Sequence, residues 1–584
     1  MDQGLADKRH TLAHLLAAAV MKLYPDAKRT IGPAIDDGFY FDFEFSSPVS
    51  EKDFPKIEKE MRKLLPSWKA MERHELSAED AKKEYPGNQY KHELIDEFAG
   101  EGKTLSFYKS GDYWDLCKGG HVENPAKEIA TDSWKLDRVA GAYWRGDEKN
   151  KMLTRIYGLA FDTKDELDAY LAKREEAKKR DHKKLGRELD LFHFSETVGK
   201  GLPLWTEKGA TIRRELERFI VDEEIRRGYI HVLTPDIAKL DLYKKSGHYP
   251  HYKDSMYAPI KIDEEEFMLR PMTCPHHFEL YLRKPHSYRE LPMRIAELAQ
   301  LYRYEQSGEL SGLQRVRTFC LADAHIICAS EQQAVEEVGK ALDLIEYIAG
   351  VFGLIHGENY WYRLSLGDRS NAEKYYKNDA GWDMAEDLLR KHLQSRGSRF
   401  VEAPGEAAFY GPKVDIQMKN VNGKEDTAFT VQYDFCMPER FDLKFNAEDG
   451  TEKRAFVVHR SSIGAIERIM AFLIEHFAGA FPLWLSPVQV KVLPVSDEKH
   501  GGYGKEVYES LKSAGIRAEL DNSNESLGKR IRNAKTEKVP YLMVVGDKEM
   551  ESNSVTLENR KESEGMKPLS EVIHRLQEEV RDRR

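Results

Sequence analysis

Cysteine is scarce. The 584 residues hold five (Cys117, Cys274, Cys320, Cys328 and Cys436), too few and too scattered for a disulfide framework, so a reducing cytoplasm is expected. Long apolar runs are missing too. The longest, Leu12 to Met21, carries His14 and falls short of the ~20 residues a membrane span needs, so no membrane association is expected. The start of the chain lacks the basic segment, apolar core and small-residue cleavage site of a signal peptide. There is no internal repeat and no long low-complexity segment. There is also no excess of basic charge. A net charge of −10 argues against non-specific coating of nucleic acid, but leaves room for a local basic surface that binds RNA.

What is present is a large globular composition, 41% hydrophobic and 33% charged, enough for roughly three or four domains. One composition shift spans Lys164 to Glu188, almost all charged residues, Ala and Leu. Such residues favour a helix with many i,i+4 charge pairs. An exposed helix connecting two domains is expected there; a basic nucleic-acid arm is disfavoured because acids are interspersed with the bases. A second boundary lies near Phe481 to Pro487. Beyond it short β-rich runs alternate with amphipathic helices, the pattern of a small α/β domain with a partly parallel sheet. The expected segments are 1–163, 164–188 (the linker helix), 189–485 and 486–584.

In the first segment, His10 and His14 are four apart in an Ala/Leu-rich helix and share a face. Far downstream, Cys117-Lys-Gly-Gly-His121 has two glycines for a tight turn that can bring Cys117 and His121 together. Spacing alone leaves three readings open: a zinc site, a hydrolytic cleft without metal, and a buried structural cluster.

Three segments of the central region carry further chemistry. Residues 209–235 read as a long amphipathic helix running into an apolar strand. In LYRYEQSGELSGLQRVRTF, Arg303 and Glu305 alternate along an expected strand, and Arg315, Arg317 and Phe319 follow on a second one after a glycine-bearing loop. Arginine suits a bidentate grip on phosphate, and the ring can stack on a base; taken alone, a surface hairpin with solvated charges is the plainer reading. In VVHRSSIGAIERIMAFLIEHF, an apolar strand turns at Gly464 into a helix carrying Arg468 in its first turns.

In this order the three segments resemble the motif set of class II aminoacyl-tRNA synthetases. Met272-Thr-Cys274-Pro-His276-His277, Ala324-His325, Phe409-Tyr410-Gly-Pro-Lys413, Thr430-Val-Gln432 and Val458-His459-Arg460 resemble the threonyl-tRNA synthetase family, over essentially the whole chain. The resemblance implies an α+β multidomain fold: an N-terminal α+β editing domain, a catalytic core on an antiparallel sheet and a C-terminal α/β anticodon-binding domain. It implies one zinc ion on Cys274, His325 and His459. It implies ATP held by Arg303, Glu305, Arg315 and Arg468, with Phe319 stacked on adenine and magnesium bridging the phosphates. Met272, Asp323, Tyr410, Lys413 and Gln432 would line the site for L-threonine. The first motif, residues 209–235, would form a homodimer interface, and tRNA(Thr) would be the macromolecular partner.

The implied metal has a physical logic. A hydrophobic pocket separates threonine from its isostere valine by only about a hundredfold, whereas zinc with three protein ligands keeps an open position that can take a hydroxyl. Serine keeps that hydroxyl, and one missing methyl is worth roughly 1–3 kcal/mol, so a second, hydrolytic sieve is expected. His10, His14, Cys117 and His121 stand where the family keeps its editing residues, with Lys91 and Asp115 as further candidates. Related alanine-editing domains use the same pattern around zinc; the threonine family implies hydrolysis without metal.

The chain departs from the family in several places. Leu321 and Ala322 stand where bacterial members commonly have Gln and Asp, Ala465 replaces a common serine, and Gly120 replaces a usual proline. An additional small N-terminal domain is expected to be absent, since His10 comes almost at once. In the last segment Lys529, Arg530, Arg532, Lys535 and Lys538 form a basic cluster. Arg532 and Glu549 match positions that read anticodon bases, while Glu558 replaces a further arginine, with Arg560 nearby. A carboxylate can accept from base amino groups.

Overall fold

The computed structural model describes residues 3–421, 423 and 425–584. They form two compact units, Met1–Glu175 and Glu176–Arg584. Among the described residues no helix is long and apolar enough to cross a membrane.

The N-terminal unit is built on α1 (Gln3–Leu23) and β1 (Gly38–Glu44). Successive strand residues face opposite ways, so Phe39, Phe41 and Phe43 share one face, and they pack with Leu12, Leu15 and Leu16 of α1. Next come β2 (Glu72–Glu75), α2 (Gln89–Gly100), β3 (Ser106–Ser110), β4 (Tyr113–Leu116), β5 (Trp134–Tyr143) and β6 (Met152–Ala160). β1, β6 and β5 run antiparallel in the main sheet, and β2, β3 and β4 form a separate three-stranded one.

The connecting segment is not one exposed helix. α3 (Lys164–Arg180) ends at Asp181, whose backbone is non-helical (ψ 122°) and whose side chain accepts from Lys183 and Lys184 N–H. That cap starts a second helix, α4 (His182–Glu188), which buries His182, Leu185 and Gly186. The expectation failed because Asp181 is a stronger helix starter than a helix interior residue.

The larger unit continues with α5 (Glu207–Arg226), β7 (Ile230–His231), α6 (Cys274–Leu282), β8 (Met293–Tyr302), β9 (Thr318–Cys328) and α7 (Glu331–Val351). β10 (Tyr360–Leu366), β11 (Phe400–Pro404), β12 (Lys413–Lys419), β13 (Glu425–Asp434), β14 (Phe456–Ala465) and α8 (Ile466–His476) follow. The eight-stranded sheet has the order β7-β8-β9-β14-β13-β12-β10-β11. Its six central strands are antiparallel, and each edge strand joins in parallel. One face is apolar: Ala324, Ile326, Val414, Val431 and Val458 pack with Val338, Leu342 and Ile345 of α7. Strand alternation therefore turns His325, Lys413, Gln432 and His459 to the other face. Along α5 and β7, Ile225 and Ile230 are each 55% exposed, and the neighbouring Leu233 is 88% exposed.

The C-terminal part of this unit comprises β15 (Val490–Pro494), α9 (Asp497–Ser513), β16 (Ala518–Leu520), α10 (Leu527–Thr536), β17 (Tyr541–Val545), α11 (Asp547–Glu551), β18 (Ser554–Asn559), β19 (Ser563–Pro568) and α12 (Leu569–Arg581). The sheet order is β16-β15-β17-β18-β19, parallel in its first two pairings and antiparallel in the rest. That matches the partly parallel α/β sheet read from the sequence.

Candidate active site and the N-terminal histidine–cysteine cluster

The sheet register explains how residues far apart in sequence meet. His325 on β9 lies directly opposite His459 on β14, and His459 opposite Gln432 on β13, which in turn faces Lys413 on β12. The two imidazoles stand edge to face with ring centres 4.6 Å apart. Cys274 opens α6, with Pro275 at the helix start, where a missing N–H costs nothing. Donor atoms of Cys274, His325 and His459 lie within 4.8 Å of one another, and all three residues are buried.

Outer partners fix which ring atoms face that point. His459 Nε2 is 2.6 Å from Asp434 Oδ2, leaving Nδ1. His325 Nδ1 is 2.8 Å from His277 Nδ1, leaving Nε2, and His277 Nε2 is 3.2 Å from Glu297 Oε2. Such carboxylate-backed imidazoles are how metal ligands are usually oriented. Burial holds His325 well below the ordinary imidazole pKa and pushes the Cys274 thiol well up. The set is one thiol and two imidazoles with room for a further ligand, the donor chemistry of a zinc site with an open position.

Around this point lies a cleft of about 770 Å³ that Met272, Asp323, Tyr410, Lys413 and Gln432 all line. Tyr410 stacks on the His459 ring at 4.9 Å and donates to Gln432 Oε1. Lys413 Nζ is 2.6 Å from Asp415 Oδ2. Burial raises the Asp323 carboxyl. Leu321, one of the departures, also lines the cleft; it pairs with Ala465, another departure, and a bulge separates it from Asp323. The sequence reading missed His248. It is buried, accepts or donates at Ser246 Oγ over 2.7 Å, and places Nε2 3.9 Å from Cys274 Sγ. Nothing in its local sequence distinguishes it.

The cleft extends into lobes of about 540 and 230 Å³, lined by Arg303, Glu305, Arg315 and Arg468, with Phe319 in the smaller. Here one expectation is corrected. β8 ends at Tyr302 and β9 begins at Thr318, so Arg303, Glu305, Arg315 and Arg317 lie off the strands in the connecting loop. Only the Arg303 N–H to Arg317 O bond, 3.0 Å, prolongs the ladder. The side chains then replace the ladder as organisers. Arg317 donates twice to the Glu305 carbonyl (3.1 and 3.0 Å), and Arg315 Nε to Glu305 Oε2 (2.8 Å). The Arg303 guanidinium sits 5.1 Å from the Phe319 ring centre. Arg468, just beyond the Gly464 turn (φ +70°), donates to Thr427 O (2.9 Å) and Gln314 O (3.3 Å). Burial lowers the pKa of Arg303 and Arg468, and for Arg303 the charge of Arg468 lowers it further. Like charges held in one cleft favour a polyanion.

In the N-terminal unit, Gly119 (φ +102°) and Gly120 (φ +86°) make the expected turn. Proline could not adopt the conformation seen at 120. Cys117 Sγ lies 3.4 Å from His10 Nε2 and 3.3 Å from His121 Nε2. His10 Nδ1 is 3.0 Å from the Gly120 carbonyl, which makes Nδ1 the protonated nitrogen and turns a lone pair toward Cys117. With His14 the four offer donor atoms within 4.8 Å of one another. Burial lowers His10, holds His14 well below the ordinary value and takes His121 to about 3, while it pushes Cys117 up to about 11.

Lys91 and Asp115 are not part of that foursome. They form an adjoining buried network with Arg29, which the sequence reading missed. Asp115 pairs with Lys91 Nζ at 2.9 Å, accepts from the hydroxyls of Tyr85 and Tyr113 at 2.5 and 3.2 Å, and has Arg29 Nε 3.3 Å away as an ion-pair contact without a hydrogen bond. Burial opposes ionisation, yet the two cations outweigh it and hold the Asp115 carboxyl well below the usual carboxylate range. Asp115→Asn strands two buried cations, and should cost about 3–5 kcal/mol. The measurement is the denaturant midpoint of the N-terminal unit's unfolding by tryptophan fluorescence; an unchanged midpoint would refute the account.

The C-terminal basic cluster is less basic than its sequence. Arg530 is buried and donates to the carbonyls of Asp521 and Pro494. Lys529 pairs with Glu525, and Lys535 with Glu558. Arg532 is exposed on α10. Glu549 already accepts from Gly546 N–H (3.0 Å) and Thr556 Oγ1 (2.7 Å). The expectation counted charges; burial and local pairing use up several of them.

Comparison with known proteins agrees with this layout. Residues 257–477 match the tRNA synthetase class II core domain (G, H, P, S and T), 489–579 the anticodon binding domain, and 105–157 the threonyl and alanyl tRNA synthetase second additional domain. The chain is 48% identical over 585 residues to the threonine–tRNA ligase of a Geobacillus species, covering 100% of this chain and 89% of that one. It is 48% identical over 583 residues to that of Staphylococcus carnosus, covering 99% and 89%. Among solved structures, the RNA binding domain of threonyl-tRNA synthetase from Cryptosporidium parvum aligns with TM-score 0.64 at 36% identity, covering 68% of this chain and 98% of that one. With identity of this order over its full length, and with the class II core match enclosing Cys274, His325 and His459, the chain belongs to the threonine–tRNA ligases, class II aminoacyl-tRNA synthetases.

Proposed function

We propose that the large cleft activates L-threonine with ATP and passes it to tRNA(Thr), and that the N-terminal cluster hydrolyses seryl-tRNA(Thr). The observation that carries the reading is the in-register pairing of His325 with His459 beside Cys274, opening into the arginine-lined lobes. Cys274, His325 and His459 would hold one zinc ion. Bound there, zinc would accept the side-chain hydroxyl of threonine as well as its amino group, and valine has no hydroxyl to offer. Tyr410 and Gln432, already joined to each other, close the side of the amino-acid site, and Asp323 offers it a carboxylate. Arg303 grips the α-phosphate, Phe319 carries the adenine, Arg468 reaches toward the γ-phosphate, and Glu305 and Arg315, paired with each other, complete the grip on ATP, the nucleotide arriving with magnesium. Preorganised cations of this kind stabilise charge that develops during adenylate formation.

In the N-terminal cluster the neutral His10, His14 and His121 are suited to orient a water and move its proton. A second reading, a metal ion held by the same four residues, is favoured by their convergence within 4.8 Å. Metal analysis of the purified chain separates the two: one zinc per chain supports water alone, and two support the metal. The exposed Ile225, Ile230 and Leu233 favour a homodimer through residues 209–235. Arg532 and Glu549 would meet the anticodon, and the cytoplasm would be the place of action. The main reading is tested by threonine-dependent ATP–pyrophosphate exchange in the presence of zinc; absence of exchange overturns it.

A further inference from the structure

We propose that His182 is a positioning residue for ATP binding: it hangs the loop between β8 and β9 on helix α8. The inference rests on reading that loop and Arg468 as the ATP grip.

His182 opens α4 and is 2% exposed. Its Nδ1 is 2.7 Å from Glu475 Oε1, near the end of α8, and its Nε2 is 3.1 Å from the Leu313 N–H in the loop. A backbone N–H only donates. Nε2 must therefore be the acceptor, and Nδ1–H must donate to the Glu475 carboxylate, so the tautomer is set from both sides. The approach is close. A Cβ on Gly312 (φ +50°) would lie 2.1 Å from His182 Nε2. Gly312 thus lets the loop backbone touch the ring.

The two ends of this link both lead to the ATP lobes. Leu313 is followed by Gln314, whose carbonyl accepts from Arg468 Nε, and by Arg315, which pairs with Glu305. Glu475 lies on the same helix as Arg468. His182 itself does not line the cleft. It acts through the loop, by fixing the distance between the groups that come from the loop and the one that comes from α8. Without it the Leu313 N–H is left buried and unpaired, which costs enough to shift the loop population by about tenfold.

The test is threonine-dependent ATP–pyrophosphate exchange with the full chain. His182→Asn keeps a donor for Glu475 but cannot reach Leu313, so the KM for ATP should rise about tenfold while the KM for threonine stays within twofold. His182→Gln carries an acceptor to the Nε2 position and should recover most of the loss. Gly312→Ala, which leaves the His182–Glu475 pair in place but pushes the loop off the ring, should raise the KM for ATP alone; it decides the matter if the histidine variants do not fold. A purely structural role would lower kcat with the active fraction and leave KM unmoved. An unchanged KM for ATP in His182→Asn, or equal shifts for ATP and threonine, overturns the proposal. Failure of the unmodified chain to exchange at all overturns instead the reading on which it rests.

Discussion

Cys274→Ser should strip the chain of zinc and lower threonine-dependent exchange by on the order of 10³. A serine hydroxyl is a poor ligand for zinc, and the thiolate is the only anionic donor of the three. His325 and His459 would be left as neutral imidazoles whose outer nitrogens still bond His277 and Asp434. The sheet should therefore hold, because those partners belong to its own strands and to α6. The loss should be specific to the amino acid: nucleotide binding in the arginine lobes, followed by fluorescent ATP-analogue displacement, should stay within about threefold, because no ATP group passes through Cys274. Two results would sink the assignment: a zinc-free preparation that exchanges at the normal rate, or a Cys274→Ser protein with full activity.

Replacing His10 and His14 together by alanine should leave threonine charging nearly intact while seryl-tRNA(Thr) accumulates. Both residues belong to the N-terminal unit, which has its own core around α1. Deacylation of purified seryl-tRNA should slow by about 10²–10⁴, the usual worth of a positioned proton-transfer group. The synthetic site would then discriminate against serine only by the ~10–200-fold that one methyl allows. His14 is buried, so its removal also opens a cavity; retained threonine charging is the control that the chain has not collapsed. If misacylation does not rise, the cluster is not the second sieve.

Local signals in the sequence were a good guide where the chemistry is local. His10 and His14 are one helical turn apart, and the double glycine before His121 dictates the turn that closes on Cys117. The three motif segments also folded as helix, hairpin and strand–helix joint. The hairpin strands, however, stopped short of the arginines, since those side chains bond the loop's own carbonyls and leave the ladder. Cys274, His325 and His459 carry no spacing signal. Their meeting depends on which strands neighbour which and in what register, a property of the whole sheet; family resemblance supplied what periodicity could not. Arg29, His182 and His248 were invisible for the same reason. Each is a lone polar residue whose meaning lies in partners such as Asp115, Leu313 and Ser246. The basic cluster that begins on α10 was easy to see, but its sequence does not show that Arg530 is buried or that Lys529 and Lys535 sit beside Glu525 and Glu558.

The direct pairing of His325 with His459 bears on how the sheet assembles. Side chains alternate across a strand, so a slip of one residue between β9 and β14 would turn one imidazole into the apolar layer under α7 and bring Ala324 or Ile326 out beside the other. A slipped sheet would lose both its core and its ability to chelate. A cation that binds only the correct pairing would draw the chain toward it by mass action. The site that would read the amino acid would then also serve as a proofreader of strand alignment, checking the fold with the same three donors that check the substrate.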